Sequence, residues 1–284
     1  MKLILLTSLT MLAFAANSVL CRMALAGASI DAASFTAIRL ASGALMLTIL
    51  ILFRAEFSAK NRHHVLRAGS WRSATWLYIY ATGFSFAYLS VSTATGALIL
   101  FGAVQLTMMT ASLISGERPG IRVWAGYILA VAGMVFLLLP GASAPSLWGA
   151  VLMAVAGVAW GMYSLRGRAS NNPLVQTAGN FLLTLPMAAA MLLFSLDRMH
   201  GNVDGVMLAM ASGALASGLG YALWYQVVSR MSGATAATVQ LSVPLLAAAG
   251  GILMMQEPVT MRLVLTGMMI LGGIALVTMK QAVR

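Results

Sequence analysis

The sequence predicts an all-α integral membrane protein: ten transmembrane helices, set as two inverted five-helix repeats around a central cavity. Three observations carry that expectation. Charged residues make up 8% of the 284-residue chain and hydrophobic residues 61%, whereas a soluble domain carries about 25% charged residues. The apolar runs are long and unbroken, as helical spans of roughly 20 residues require, and do not alternate as barrel strands would. Two glutamates, Glu117 in LISGERPG and Glu257 in LMMQEPVT, end apolar runs at matching points of the two halves.

The apolar segments are 3–21, 33–53, 74–91, 95–115, 123–140, 146–165, 174–196, 205–229, 234–255 and 263–279. The first, beginning MKLILLTSLTMLAFAANS, imitates a secretory signal: a lysine, an apolar core, then an Ala-rich stretch. Its likeness to the sixth span argues for a span instead. The second carries Arg39 in FTAIRLASG. The basic loop 53–72 follows, and its His63 and His64 lack a third ligand, so it reads as a solvated loop. The third stacks Trp76, Tyr80, Gly83 and Ala87 on one face. The fourth stacks Gly102, Gln105, Met109, Ser112 and Gly116. The fifth stops at the turn PGASAPS (140–146). The sixth holds Gly157 and Gly161 as GxxxG with Trp160 between them, a motif for helix packing within the chain. The seventh lies between RASNNP (168–173) and DRMHGNVDG (197–205). The eighth stacks Gly213, Ser217, Gly220 and Trp224. The ninth stacks Gln240, Pro244, Ala248 and Gly251, and the tenth closes the second half. No linker is long enough for a separate soluble domain.

The net charge of +11 fits basic cytoplasmic loops better than nucleic-acid binding, because no basic run is long enough for a nucleic-acid tail. With the N-terminus cytoplasmic, thirteen Lys and Arg residues fall on the inner side and three (Arg22, Arg198, Arg262) on the outer side. Both termini are therefore expected in the cytoplasm. The single cysteine, Cys21, rules out an intramolecular disulfide and suggests no cysteine-based metal site.

Sliding the chain against itself by 140 residues aligns Ser92 with Ser232, Thr95 with Thr235 and Glu117 with Glu257; Pro119 and Pro258 follow closely. LAFAANSVLCR (12–22) pairs in the same frame with VAGVAWGMYSLR (155–166). The halves are 1–141 and 142–284. Five spans per half invert the second copy, so Glu117 is expected at the cytoplasmic face and Glu257 at the outer face. Many secondary transporters share this plan, with the substrate near the midplane between repeats.

The stretch YALWYQVVSRMSGATAATVQLSVPLLAAAGGILMMQEPVT (221–260) resembles the second-repeat signature of the EamA family of the drug/metabolite transporter superfamily. GALILFGAVQLTMMTASLISGERP (96–119) resembles the first-repeat version, and the resemblance spans the whole chain. It implies a basket-like bundle with a cavity lined mainly by helices 1, 3, 4, 6, 8 and 9. It also implies export of small metabolites or amino acids, without specifying which.

Arg39 is the only charged residue inside a span. Burying it costs on the order of 3 kcal/mol, which makes it a functional candidate. Two readings stand side by side. Arg39 snorkels to the outer rim, pairing with Asp31 or with carbonyls of a neighbouring helix; or it holds a substrate carboxylate or phosphate in its guanidinium fork. Gln105 and Gln240 carry amides that must face the bundle interior, toward neighbouring helices or a substrate. Pro244 frees a carbonyl near Gln240, giving a static kink or a substrate contact. Tyr80, Trp160 and Trp224 are candidates to wall a pocket, set against the lipid-facing role common for such aromatics. Asn17 joins them because the resemblance places helix 1 in the cavity wall. Glu117 and Glu257 oppose the dipole of the helices they end. They are expected to accept hydrogen bonds from the first amides of the next helix, a structural role rather than proton carriage.

The function expected is a secondary transporter, an exporter of small metabolites such as amino acids or related neutral, zwitterionic or anionic solutes, by alternating access. Its partners are a small-molecule substrate and the lipid bilayer, with no nucleic acid, no cofactor and no metal. A monomer suffices because one chain supplies both repeats; a weak homodimer is the alternative. No span holds Asp, Glu or His, so proton coupling through Glu117 or Glu257 stands beside uniport. The same absence disfavours a membrane-embedded enzyme. An exporter of hydrophobic or cationic drugs would place a carboxylate in the cavity. A non-transporting receptor or assembly subunit would need an exposed partner-binding segment. The excess of Arg over Lys, fourteen to three, fits a bacterial inner membrane.

Overall fold

The computed structural model describes residues 2–53, 65, 68–116, 120–141, 144–167, 172–228, 230 and 239–279. Glu117, His63, His64, Ser232 and Thr235 lie outside them. Ten helices run through the described residues: α1 (Lys2–Ala26), α2 (Ala32–Leu52), α3 (Trp71–Ala87), α4 (Thr93–Ile114), α5 (Ile121–Leu138), α6 (Leu147–Gly167), α7 (Pro173–Leu193), α8 (Val203–Val228), α9 (Ser242–Met255) and α10 (Met261–Met279). Seven of them, α1, α2 and α4 to α8, are long and apolar enough to cross a membrane. The apolar helices α9 and α10 are shorter, and α3 has 17 residues. These are the proportions of a multi-pass membrane protein. Most ends fall within a few residues of the expected ones. The ninth span is expected from 234, which lies outside the described residues; residues 239–240 are helical, 241 is a turn, and α9 runs from Ser242.

Short polar residues stop and start the chain. Asp31 caps α2 by accepting from the Ser34 amide at 2.9 Å, and Ser70 caps α3 through the Ser73 amide at 3.2 Å. Asn202 caps α8 through the Gly205 amide at 2.8 Å. Asn172 caps α7, whose first residue is Pro173, fixed in the φ that a helix start needs.

Small residues bring the helices together. Across α4 and α6, a Cβ on Gly157 would lie 2.6 Å from the Leu100 carbonyl oxygen, and one on Gly161 would lie 2.9 Å from the Thr107 Cβ. The GxxxG face thus packs on α4 within the chain. Helices α5 and α10 meet in the same way at Gly126 and Gly273. The other main pairs are α3 with α6, α2 with α7 and α8, α1 with α8 and α9, and α4 with α9.

Helix α4 changes surroundings halfway along. From Thr93 to Val104 every residue except Thr95 is buried; from Gln105 to Ile114 every residue is at least partly exposed. A helix with one lipid-facing side would show a stripe over its whole length. Burial nearly all round at one end and partial exposure all round at the other means that the bundle closes on α4 at its start and opens at its end.

Candidate functional site

Helix α2 carries Arg39 into the closed part of the bundle, where it is 2% exposed. Its Nη2 donates to the Tyr80 hydroxyl at 2.9 Å and its Nε to Ser217 Oγ at 3.4 Å. The guanidinium carbon sits 4.8 Å from the Phe84 ring centroid and 5.1 Å from that of Tyr80, within cation–π range. Nη1 is buried without a hydrogen-bond partner. Two sequence expectations are corrected here. Arg39 turns inward and does not snorkel. Asp31 is spent elsewhere: it caps α2 and accepts from the His200 amide at 3.1 Å. Hydrogen bonds to a carboxylate are best satisfied close by, and the Ser34 amide is three residues from Asp31.

The Tyr80 hydroxyl also accepts from Asn17 Nδ2 at 3.3 Å, and Asn17 Oδ1 accepts from Ser212 Oγ at 2.7 Å. A polar chain therefore runs Ser212–Asn17–Tyr80–Arg39–Ser217 through α8, α1, α3, α2 and back to α8. It can form because α8 is not a regular α-helix. Ser212–Leu219 is a π-helical segment, which is rare and common at functional sites. Its extra residue per turn brings Ser212 and Ser217 to the same cluster from five residues apart. Gly213 in the same segment packs on the Arg39 carbonyl, where a Cβ would clash.

Aromatic rings wall the other side. Trp160 of α6 lies 4.8 Å from Tyr80 and 5.1 Å from Tyr221, nearly parallel to Tyr221. Between the rings and the polar chain is a cavity of about 20 Å³ bordered by Asn17, Tyr80, Phe84, Trp160, Ser217 and Tyr221, room for roughly one water. A larger hollow of about 380 Å³ lies between α4, α9 and α10, lined by Leu98, Pro244, Leu245, Ile252 and Met268. Its walls are mostly apolar, with Ser92 and Glu257 at the rim of α4 and α9, and turned outward, Leu245 being 61% exposed. Donors and acceptors converge at the smaller space.

Of the residues singled out from sequence, Asn17, Arg39, Tyr80 and Trp160 come together. Trp224 stands one layer away, 5.8 Å from Phe14, which borders the cavity. Gln105 and Gln240 do not line it. Gln105 lies just past the buried half of α4. Pro244 lines the outer hollow and sits in the first turn of α9, where a missing amide costs no bond; residues 239–240 are helical and 241 is a turn, so the chain breaks just before it. Sequence reasoning passed over Phe84, Tyr221 and Ser212. Ser217 was visible only as a small residue on the α8 stripe.

Glu257 follows α9 after a sharp reversal at Gln256, which has a left-handed backbone (φ 54). Its two carboxylate oxygens accept from the Thr93 amide at 3.0 and 2.8 Å, and Arg22 Nε donates to Oε1 at 3.3 Å. Arg22 Nη1 donates to the Tyr88 carbonyl at 2.7 Å. The expected partner was the next helix, α10. The carboxylate instead caps α4, whose own N-cap Ser92 makes no side-chain capping bond. An anion is favoured there because the α4 amides and dipole point at it. This clasp ties α1, α3, α4 and the end of α9 together at the closed end of α4.

A family model for the EamA-like transporter family matches residues 147–279. An uncharacterized protein of Pseudomonas aeruginosa is 50% identical over 274 residues, covering 96% of this chain and 93% of its own. The threonine/homoserine exporter RhtA of Escherichia coli K12 is 29% identical over 240 residues, 81% of this chain and 76% of its own. A crystal structure superposes with a TM-score of 0.64 at 20% identity, over 97% of this chain and 99% of that one, a likeness of fold. The chain belongs to the EamA-like transporter family.

Proposed function

We propose that the chain is an exporter of small metabolites, working by alternating access between inverted repeats 1–141 and 142–284. The helix pairs support that symmetry. Exchanging helices one to five with six to ten turns α3–α6 into α8–α1 and α4–α6 into α9–α1, and maps α2–α7, α4–α9 and α5–α10 onto themselves; all of these pairs are in contact. The observation that carries the reading is α4, buried nearly all round at its start behind the Arg22–Glu257 clasp and at least partly exposed all round at its end. One closed and one open end is what a transporter shows in one of its two states. The Lys and Arg bias supports termini and an open end on the cytoplasmic side, the inward-facing state in a bacterial inner membrane. The substrate reading, amino acids or related neutral, zwitterionic or anionic solutes, draws support from the RhtA relatives. One chain supplies both repeats, so the unit is a monomer. It needs no cofactor and performs no catalysis. Proton coupling through Glu257 stands beside uniport. Flux into and out of proteoliposomes over a panel of metabolites tests the proposal. Folded protein that moves no solute overturns it.

A further inference from the structure

Resting on the transporter reading, we infer that the central site takes a small monocarboxylate, its carboxylate on Arg39 and its apolar body against the rings of Tyr80, Trp160 and Tyr221. Arginine stays charged at any physiological pH. Among the described residues, that charge at Arg39 meets neutral groups: the hydroxyls of Tyr80 and Ser217 and the faces of Tyr80 and Phe84. The described acids are occupied or distant in kind: Asp31 caps α2, Asp197 and Asp204 are exposed, and Glu257 holds Arg22. A buried cation without an anion is among the costlier arrangements a protein can keep. Nη1 is also buried without a partner, and each group holding the rest of the guanidinium borders the cavity. Charge and donor together describe one missing anion.

The surroundings select its class. One guanidinium balances one negative charge; Arg39 stands behind Tyr80, Phe84 and Ser217, and no cation is among the described residues that border the cavity itself, so a carboxylate suits the site better than a phosphate dianion. The opposite wall is aromatic, so the rest of the solute is apolar. A cationic solute would meet Arg39 with like charge. In the present state the cavity holds about 20 Å³, so the Tyr80 hydroxyl fills part of the fork and must give way as the solute enters.

The test is equilibrium binding by calorimetry to the full chain in lipid nanodiscs. The probes are small carboxylates, from acetate to phenylacetate and the apolar amino acids, each beside its primary amide, with inorganic phosphate as a separate arm. Wild type is expected to bind the best carboxylate at least about tenfold tighter than its amide, the scale of a charge-assisted pair. Arg39→Met should bring acid and amide within about twofold of each other, and Arg39→Lys, which keeps charge but not the fork, should fall between. Amides that bind wild type as well as acids, an acid preference that survives Arg39→Met, tightest binding by phosphate, or no carboxylate binding at all would each overturn the assignment. The wild-type acid–amide comparison decides even if a variant fails to fold. Carboxylate flux that is unchanged in Arg39→Met would sink the carboxylate site and leave transport standing. Carboxylate binding without flux of any solute would do the reverse.

Discussion

Arg22 and Arg39 lie on neighbouring helices and differ in how their charge is met. Arg22 sits near the closed end of α4 with 19% of its side chain exposed, paired with Glu257 and with the Tyr88 carbonyl. Arg39 is buried more deeply and has hydroxyls and rings but, among the described residues, no anion. A structural arginine in a membrane protein looks like Arg22: its needs are answered within the chain. The deeper charge should have the stronger need for a carboxylate, yet it is the one without. The difference separates a residue that holds the fold from one held ready for something else.

Giving Arg39 the partner that Arg22 already has breaks the contrast most severely. Ser217 touches Arg39 Nε, so Ser217→Asp would place a carboxylate on the guanidinium. The variant should be as stable as wild type or more so, because the buried charge is neutralised. Carboxylate flux in proteoliposomes should fall by about 100-fold, roughly 3 kcal/mol at the site. Unchanged flux would mean that Arg39 is structural after all.

Removing the partner from Arg22 is the reciprocal change. Glu257→Gln keeps a hydrogen-bond acceptor for the Thr93 amide and deletes the ion pair. Both side chains are largely buried, so the loss should lie between a surface pair and a fully buried one, about 1–3 kcal/mol. Labelling of Ser92→Cys by a membrane-impermeant thiol reagent, in a Cys21→Ser background, should rise several-fold as the closed end loosens. Arg22→Met should add little to Glu257→Gln, since two changes to one pair are not additive. Full additivity would mean that no clasp exists.

Much of the frame was legible in the sequence and little of the pairing was. Hydropathy and caps locate helices because each depends on residues close in the chain, and GxxxG marks a close crossing because only backbone approach needs two small residues a turn apart. Arg39 meets Tyr80 across 41 positions and Ser217 across 178; no local spacing encodes either. The π-helical segment is equally hidden, because stripes drawn at three and four residues assume the α-helical repeat that it breaks. Glu257 was read at the end of its own helix, but its role is at the start of another, 164 residues away. Gly213 tests whether the π segment is what seats Arg39. Gly213→Ala would press a methyl on the Arg39 carbonyl and should cost about 1–3 kcal/mol by overpacking, seen as a lower melting temperature. Gly272→Ala, with open space around it, should be nearly neutral.

The smallest effect belongs to Asp31, one of the partners offered for Arg39, which instead caps α2. Burial by itself would raise its carboxyl. The hydrogen bonds from Ser34 and His200 and the charge of His200 prevail and hold it below the usual carboxylate range. A depressed pKa adds stability that is present above the unfolded carboxylate pKa of about 4 and is lost as pH falls through the folded value. A melting curve of wild type should therefore soften below about pH 4, and Asp31→Asn should remove that part of the dependence. Asparagine caps as well as aspartate, so at neutral pH the substitution should cost only a few tenths of a kcal/mol, against about 1 kcal/mol for Asp31→Ala. The informative measurement is the acid–amide preference of Asp31→Asn. If Asp31 serves only its own helix, the preference stays within about twofold of wild type. A tenfold change would show that Asp31 and Arg39 share one electrostatic site, and the contrast between the paired and the waiting arginine would not hold.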